Sequence, residues 1–299
     1  MIKGLNIDKY LSGDKILDNI NINVEKGSIY GLIGPNGAGK TTLLKTLVDI
    51  YIPEKGEVFI LDENVHENTN IKSKIGYVAD NLNFYPDFKL ADVVDFYRNT
   101  YADWDEGRYI QLKSIFKLDE KKKIKSLSKG MKTQLGLLLN LSISPKVLIL
   151  DEPTSGLDPV IKRKVLDIII EEVAENETTV LISSHHLGEL ERIADHIGII
   201  HEGKILLEDS IDHLKSNVRK IQVAFKNGIP EEIENNPDIL KIENRGKVYE
   251  IIVNENIDAF IENIKKYNPI LLETIDMSLE EIFIYKMGGV GYGFEDIIL

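Results

Sequence analysis

The residues with the clearest chemical meaning form a glycine-rich loop near the N-terminus. Residues 34–41 read Gly-Pro-Asn-Gly-Ala-Gly-Lys-Thr, which matches in full the spacing of a phosphate-binding loop. Glycines let backbone N–H groups converge on phosphate oxygens, and a helix that starts at the lysine adds a favourable dipole. The alternative, a glycine-rich turn with a surface lysine, is disfavoured because a predicted strand precedes the loop. The residues expected to contact a nucleotide are Gly34, Pro35, Asn36, Gly37, Ala38, Gly39, Lys40, Thr41 and Thr42.

A second group of polar residues follows the apolar run at residues 147–150. Asp151 and Glu152 end this predicted strand, and buried carboxylates are costly unless a cation or a donor accompanies them. A magnesium nucleotide would supply that partner. We therefore expect Asp151 and the Thr41 hydroxyl to bind Mg²⁺, Lys40 to contact the β and γ phosphates, and Glu152 to act as general base. By itself the pattern fits a strand that ends in a polar turn equally well, but the loop upstream favours the catalytic interpretation.

Two adjacent histidines follow another predicted strand, at residues 179–183. Ligands of α/β proteins bind beyond the carboxyl ends of parallel strands, so His185 or His186 could reach the γ-phosphate and orient a water. A histidine at such a place is also often structural. The residues alone favour His185 only weakly over His186.

The elements that must position these groups follow an alternating pattern. Short β-branched runs are separated by amphipathic segments, which predicts an α/β fold with a parallel sheet covered on both faces. The predicted strands are residues 2–6, 20–24, 28–33, 57–60, 75–78, 147–150, 179–183 and 197–201. Residues 86–145 predict a helical subdomain inserted between strands. From residue 216 to 299 the pattern changes to a small accessory α+β domain, which leaves 1–215 as the nucleotide-binding domain.

Composition excludes several classes of protein. The chain has 299 residues, no cysteine and a net charge of −13, so disulfides and thiolate chemistry are impossible and nucleic acid is a poor partner. An acidic surface also disfavours direct adhesion to anionic lipid. No apolar run approaches the roughly 18 residues that span a bilayer. We therefore expect a cytoplasmic protein whose membrane role, if any, depends on a partner.

Further motifs carry a family resemblance. Residues 127–131 read Leu-Ser-Lys-Gly-Met at a predicted helix start, and residues 155–159 read Ser-Gly-Leu-Asp-Pro. Together with the phosphate-binding loop, Asp151, Glu152 and His185, these segments resemble the signature and D-loop of ABC ATPases. Tyr10 falls where that family has an aromatic residue that stacks on adenine. The resemblance covers residues 1 to about 210.

The resemblance implies an ATPase with ATP and Mg²⁺, built from two subunits that clamp two ATP molecules head to tail, as a homodimer or a heterodimer. It implies that Ser128 and Gly130 of one subunit face the γ-phosphate bound by the other, with Lys129 and Asp158 at the dimer interface. It also implies a separate membrane permease as partner. The subunit would then be peripheral on the inner face of the cell membrane, attached only through that permease.

The sequence departs from the family pattern in two places. Lys129 and Met131 replace the usual glycine and glutamine of the signature, and Asp80 replaces a glutamine that touches Mg²⁺ and water. We expect Asp80 to contact the metal, although its side chain is shorter and charged. These variants, with the ending at residues 278–283, resemble bacterial export-type subunits, which implies export of a drug, a peptide or a lipid.

Other interpretations remain open at this point. Soluble ABC ATPases of translation carry two cassettes, and those of DNA repair carry long coiled coils, whereas this chain has one phosphate-binding loop and no heptad run. A soluble ABC-type ATP-binding regulator or sensor without transport is the main alternative. Phe84, Tyr85 and Phe88 form either a permease-docking surface or part of a core.

Overall fold

The computed structural model describes residues 1–288. The described residues divide into two compact units, one of Met1–His185 with His196–Glu208, the other of His186–Asp195 with residues 209–288. The domain boundary expected after residue 215 stays a prediction.

The first part of the chain alternates between two sheets. Its elements are β1 (Ile2–Leu11), β2 (Asp14–Val24), β3 (Ile29–Ile33), α1 (Lys40–Leu47), β4 (Lys55–Ile60), β5 (Glu63–Asn64), α2 (Thr69–Lys72) and β6 (Ile75–Val78). β1 and β2 form a hairpin, and the order β2-β1-β4-β5 makes an antiparallel sheet. Ser12 and Gly13 connect the hairpin with φ of 52° and 97°, the left-handed region that tight hairpin turns require.

This antiparallel sheet corrects part of the expected topology. The strands predicted at residues 2–6, 20–24 and 57–60 do not join the parallel sheet. A two-residue connection permits only antiparallel pairing, because a parallel crossover needs a dozen residues or more. In the structure the first two strands are longer than predicted, and the connection that remains between them is too short for parallel pairing.

The middle of the chain is helical. It contains α3 (Leu90–Thr100), α4 (Glu106–Phe116), a 3₁₀ turn at Ile124–Ser126 and α5 (Lys129–Ser142). The predicted start of α5 is confirmed, since the Ser128 hydroxyl accepts a hydrogen bond from the N–H of Met131 at 3.2 Å. Helix α5 is buried around most of its circumference, as expected of a helix with apolar residues on more than one face.

The parallel sheet carries the chemically important loops. It uses β3 and β6 together with β7 (Val147–Asp151), β8 (Thr179–Ser184), β9 (His196–His201) and β10 (Lys204–Ser210), between which lie α6 (Pro159–Asn176) and α7 (Leu187–Leu190). The strand order is β10-β9-β3-β8-β7-β6, and β3, β6, β7, β8 and β9 pair in parallel. Every residue of β3, β7 and β8 is buried. The prediction of a parallel sheet covered on both faces is confirmed for these strands.

The second unit has its own core. It contains α8 (Ile211–Asn217), β11 (Val218–Ala224), α9 (Glu231–Glu234), β12 (Ile239–Arg245), β13 (Val248–Asn254), α10 (Ile257–Lys265), β14 (Leu271–Ile275) and α11 (Leu279–Gly288). From β11 to β14 the order is β-α-β-β-α-β, and the antiparallel sheet runs β12-β13-β11-β14, the ferredoxin-like arrangement. Phe260 and Ile264 of α10 pack on Ile221 and Ile251 of the sheet.

A capping box begins the last helix. The N–H of Ser278 donates to Glu281 at 3.0 Å, and the N–H of Glu281 donates to the Ser278 hydroxyl at 3.2 Å. Within residues 1–288 no helix combines the length and apolar character needed to cross a bilayer.

Candidate nucleotide-binding site

The glycine-rich loop connects the buried strand β3 to helix α1, as its pattern requires. Gly37 and Gly39 have φ of 84° and 106°, a conformation that residues with a Cβ rarely adopt. A Cβ on Gly34 would lie 2.3 Å from the carbonyl oxygen of Ile200, so a side chain there is excluded. The loop therefore turns sharply at the N-terminus of α1, where backbone N–H groups and the helix dipole favour an anion.

Lys40, the first residue of α1, is almost fully buried at 6% exposure. Its ammonium donates to the carbonyl oxygens of Gly34 at 2.5 Å and Pro35 at 3.2 Å, and lies 3.4 Å from Glu152 Oε1. The Lys40 side chain thus folds back over its own loop, and its ammonium lies close to Glu152, the predicted base. It is placed where a phosphate chain on the loop would meet it.

An open cavity of 330 Å³ brings most of the predicted residues together. Its lining residues are Leu11, Ile16, Pro35, Asn36, Gly37, Gly39, Lys40, Thr41, Thr42, Asp80 and Glu152. Leu11 and Ile16 were not expected from the sequence. They flank the β1–β2 hairpin turn, so the only signal for them was apolar character beside Tyr10.

Asp151 ends β7 with a buried carboxylate at 1% exposure. Ser183 of the neighbouring strand donates its hydroxyl to Asp151 Oδ1 at 2.8 Å and accepts the N–H of Glu152 at 3.0 Å. The other carboxylate oxygen, Oδ2, has no hydrogen-bond partner among the described residues. The sequence interpretation missed Ser183, although a small polar residue at the end of a neighbouring strand is a usable signal.

The charge state of Asp151 reflects its surroundings. Burial raises its pKa, and the neighbouring Asp80 and Glu152 carboxylates raise it further. The hydrogen bond from the Ser183 hydroxyl and the nearby Thr41 hydroxyl oppose that shift. A buried carboxylate with an unpartnered oxygen, flanked by two more carboxylates and a threonine hydroxyl, is a donor set that suits Mg²⁺.

The same donors do not form a closed metal site by themselves. In the described residues 1–288 no three His, Cys, Asp or Glu side chains are grouped as metal ligands. Mg²⁺ usually binds through one or two carboxylates and substrate phosphates. The residues present therefore fit a metal that arrives with a phosphate chain.

Glu152 contacts the histidine that the sequence favoured. His185 Nδ1 lies 2.7 Å from Glu152 Oε2. The remaining oxygen, Oε1, accepts no hydrogen bond from any described residue and is 3.4 Å from the Lys40 ammonium. Glu152 itself has a φ of 51°, a left-handed conformation that is uncommon for a glutamate and that clusters at functional sites.

The expected dimer-interface residues lie at helix starts outside the cavity lining. Ser128 is the N-cap of α5, and a Cβ on Gly130 would lie 3.1 Å from the carbonyl oxygen of Gly156. Asp158 caps α6, where its carboxylate accepts from the N–H groups of Val160 and Ile161 at 3.0 and 3.1 Å. The sequence did not predict that capping role, although Asp before Pro159 is a recognisable helix-start signal.

Two further predicted residues, Tyr10 and Lys129, are not part of the cavity lining. Tyr10 is 41% exposed, and its ring lies 5.9 Å from the Lys15 ammonium. Tyr10 itself is not part of the cavity lining, whereas its neighbour Leu11 is. Lys129 contacts Asp80, with Nζ 2.5 Å from Oδ1.

The fold and these motifs define an ATP-binding cassette, and comparison with known proteins identifies the family. The sequence profile of the ABC transporter family matches residues 17–155. The chain is 31% identical to the ABC transporter ATP-binding protein YtrB of Bacillus subtilis over 289 residues, which cover 97% of this chain and 99% of that protein. It is 32% identical to the bacitracin transport ATP-binding protein BcrA of Bacillus licheniformis, with 97% and 98% covered. The chain belongs to the ABC transporter family.

The fold is shared with solved cassettes. The structure of the ATP-binding cassette MJ0796, a dimer in a post-hydrolysis state bound to ADP and Pi, matches with a TM-score of 0.64 and 24% identity. The match covers 71% of this chain and 99% of that chain. The expected fold, a P-loop ABC ATPase with a parallel sheet, is confirmed.

Proposed function

We propose that this chain is the ATP-hydrolysing subunit of an ABC transporter and powers a separate membrane permease. One observation carries the proposal: the phosphate-binding loop, Lys40 and Glu152 line a single cavity, and His185 lies within hydrogen-bond distance of Glu152. This combination of an anion cradle and a positioned carboxylate suits hydrolysis of a phosphate chain.

The loop and helix α1 bind the triphosphate. Backbone N–H groups from Gly37 to Lys40 face the phosphates, and the Lys40 ammonium exchanges its carbonyl contacts at Gly34 and Pro35 for β and γ phosphate oxygens. Thr42 lies on the cavity wall and contacts a phosphate oxygen. Tyr10 stacks on adenine, a role that its exposed ring permits.

Glu152 takes the proton of the attacking water. His185 anchors Oε2 at 2.7 Å, which leaves Oε1 as the oxygen that can accept a proton. The Lys40 ammonium lies 3.4 Å from Oε1, so this oxygen faces a positive charge in the nucleotide-free protein. His185 is the positioning residue of the pair and also reaches toward the γ-phosphate.

Mg²⁺, when bound with ATP, neutralises the charge on the β and γ phosphate oxygens. Asp151, Thr41 and Asp80 are the residues that would hold it. Their own contacts support this assignment, because Asp151 keeps one oxygen unpartnered and Asp80 faces the same cavity.

A second copy, identical or related, completes each site. Ser128, Lys129, Gly130 and Asp158 lie at the N-termini of helices α5 and α6, where N–H groups and dipoles favour a γ-phosphate bound by the partner. The dimeric form of the MJ0796 cassette supports this arrangement. Hydrolysis in such a dimer opens the pair and so moves the permease.

The names of the relatives suggest what the permease transports. BcrA carries the name of bacitracin transport, so we infer that this chain serves export of a drug, peptide or lipid. Tyr85 and Phe88 are 74% and 45% exposed and their rings lie 5.1 Å apart, which makes them candidates for the permease contact. The subunit would then be a cytoplasmic protein, peripheral on the inner face of the membrane.

The test compares Glu152→Gln with Glu175→Gln, a matched change at an exposed position on α6. We expect wild type and Glu175→Gln to hydrolyse ATP in steady state. Glu152→Gln should bind ATP and lose at least about 100-fold in turnover. ATP binding without turnover in wild type would instead favour the sensor without transport. Purification from native membranes should recover a hydrophobic permease with the chain.

A further inference from the structure

The two places where the sequence departs from the family pattern are in direct contact. Lys129, the first residue of α5, lies with Nζ 2.5 Å from Oδ1 of Asp80, which follows β6. The residues are 49 positions apart in sequence. Lys129 adds a positive charge and Asp80 adds a negative charge. The change in the signature and the change at the position expected to contact Mg²⁺ are therefore joined by an ion pair.

The ion pair lies at a junction of three chain segments. The Lys129 ammonium is 3.4 Å from the Ser155 hydroxyl, in the loop between Glu152 and α6. A Cβ on Gly130 would lie 3.1 Å from the Gly156 carbonyl oxygen, so the start of α5 packs closely on that loop. The lysine is therefore placed among the Asp80 segment, the loop after the predicted base and the signature helix.

Asp80 also belongs to the phosphate cavity. It lines the cavity with Thr41 and Glu152, and its charge raises the pKa of Asp151. The same carboxylate thus faces a lysine on one side and the expected cation ligands on the other. The Lys129 ammonium and a bound divalent cation would therefore compete for the same carboxylate, that of Asp80.

The pair contributes little to the stability of the fold. Asp80 and Lys129 have side-chain exposures of 30% and 46%, and ion pairs this exposed have weak net effects on unfolding. Its position at the edge of the cavity points instead to control of charge. An ammonium close to the carboxylates weakens their attraction for a cation. At such distances Coulomb's law predicts a several-fold change in the dissociation constant of the cation.

We propose that Lys129 is a positioning residue that neutralises Asp80 and thereby lowers the affinity of the site for a divalent cation. This inference rests on the proposed function, since it assumes that the cation arrives with a nucleotide. Binding of the cation draws Asp80 away from Lys129. The start of α5, which carries Ser128 and Gly130, then loses a contact that ties it to the metal side of its own site.

The experiment uses Mn²⁺ as the probe and the full-length chain in excess over ADP. Electron paramagnetic resonance of free Mn²⁺ gives its dissociation constant for wild type, Lys129→Met, Asp80→Asn and the double variant. We expect Lys129→Met to bind Mn²⁺ about 3- to 10-fold more tightly than wild type. Asp80→Asn should bind it more weakly, and the double variant should match Asp80→Asn.

Lys113→Met is the matched control. Lys113 of α4 forms an ion pair of similar exposure with Glu120 at 2.8 Å, and neither residue lines the cavity. It should leave the Mn²⁺ affinity unchanged. ADP affinity without metal, measured for each variant, shows that the fold and the loop are intact.

Two results would overturn the inference. One is unchanged or weaker Mn²⁺ binding in Lys129→Met, and the other is a Lys129→Met effect of equal size in the Asp80→Asn background, since the lysine would then act through another group. Failure of the proposed function is distinguishable. In that case wild type itself would bind no ADP or would bind nucleotide without hydrolysing ATP, whereas here wild type binds ADP and Mn²⁺ and hydrolyses ATP, and only the variants disagree.

Discussion

His185 Nδ1 lies 2.7 Å from Glu152 Oε2, so the histidine after β8 fixes one oxygen of the carboxylate that follows β7. The two strands are adjacent and parallel, with Asp151 paired to Ser183, and both residues therefore emerge at the same edge of the sheet. Lys40 approaches the other carboxylate oxygen at 3.4 Å. The base is thereby oriented from two sides before a water reaches it.

Replacing this histidine should impair turnover without impairing binding. In His185→Ala the Glu152 side chain loses its anchor, and we expect the rate of ATP hydrolysis at saturation to fall by about 100-fold. ATP affinity should change less than about 2-fold, because the phosphate loop is untouched. His186→Ala, the same change one residue on, is the control and should retain wild-type rates. The reverse result would mean that the neighbouring histidine has the catalytic role.

The predictions from sequence were correct where the signal lies within a short stretch of the chain. The glycine-rich loop fixes its own conformation, so its position between β3 and α1 could be predicted from spacing alone. The Ser128 cap and the Ser278–Glu281 capping box are similarly local, since each bond spans three residues. The parallel strands were recognisable because buried strands are apolar along their whole length.

Features that depend on tertiary contact could not be predicted. Ser183 became part of the site only through the pairing of β7 with β8, and the Lys129–Asp80 contact joins segments that no short-range pattern relates. The antiparallel sheet was missed because short apolar runs look alike in parallel and antiparallel pairing. Asp158 was expected to contact a partner, and its capping bonds are an additional role.

Asp151→Asn should stabilise the nucleotide-free protein while it weakens cation binding. Burial raises the pKa of Asp151 in the folded state, so its ionised form opposes folding above that pKa. At pH 8 we expect the amide variant to have the higher free energy of unfolding and the higher melting temperature.

The pH dependence of that gain tests its cause. As the pH falls toward the raised pKa of Asp151, the carboxylate takes up its proton in the folded state, and the advantage of the asparagine should shrink. Thermal melts of both proteins without nucleotide or divalent cation, at pH 8, 7, 6 and 5, measure the difference. A gain that is independent of pH would point to a change in packing instead. A less stable variant at pH 8 would contradict the prediction.

A buried ion pair inside the first unit should be costly to break. Arg108 of α4 lies 3.1 Å from Glu172 of α6, whose side chain is 2% exposed. Thr178 donates a further hydrogen bond to the same carboxylate at 3.1 Å. Arg108→Met leaves that charge buried with one hydroxyl donor, and we expect a loss of about 3 kcal/mol in free energy of unfolding.

The double variant Arg108→Met/Glu172→Met separates the pair from its surroundings. Removing both charges should recover most of the loss, because neither is left uncompensated. Denaturant unfolding of wild type, both single variants and the double variant gives the coupling energy. Additive losses would show that the two side chains act independently.

The core of the second unit should be separable from the nucleotide site. Phe260 of α10 is 2% exposed and packs with Ile221, Val223 and Ile251 of the ferredoxin-like sheet. Phe260→Ala removes a large buried side chain, and we expect the unit to lose about 3–5 kcal/mol of stability. Hydrogen exchange of the full-length chain, followed by mass spectrometry, should speed up in peptides from β11 to β14. Peptides from the glycine-rich loop, with ATP bound, should keep their protection.

The matched change Phe96→Ala, at a residue of α3 that is 62% exposed, should leave both regions as in wild type, because almost no buried area is lost. Equal acceleration in the loop peptides of Phe260→Ala would show that the two units unfold together.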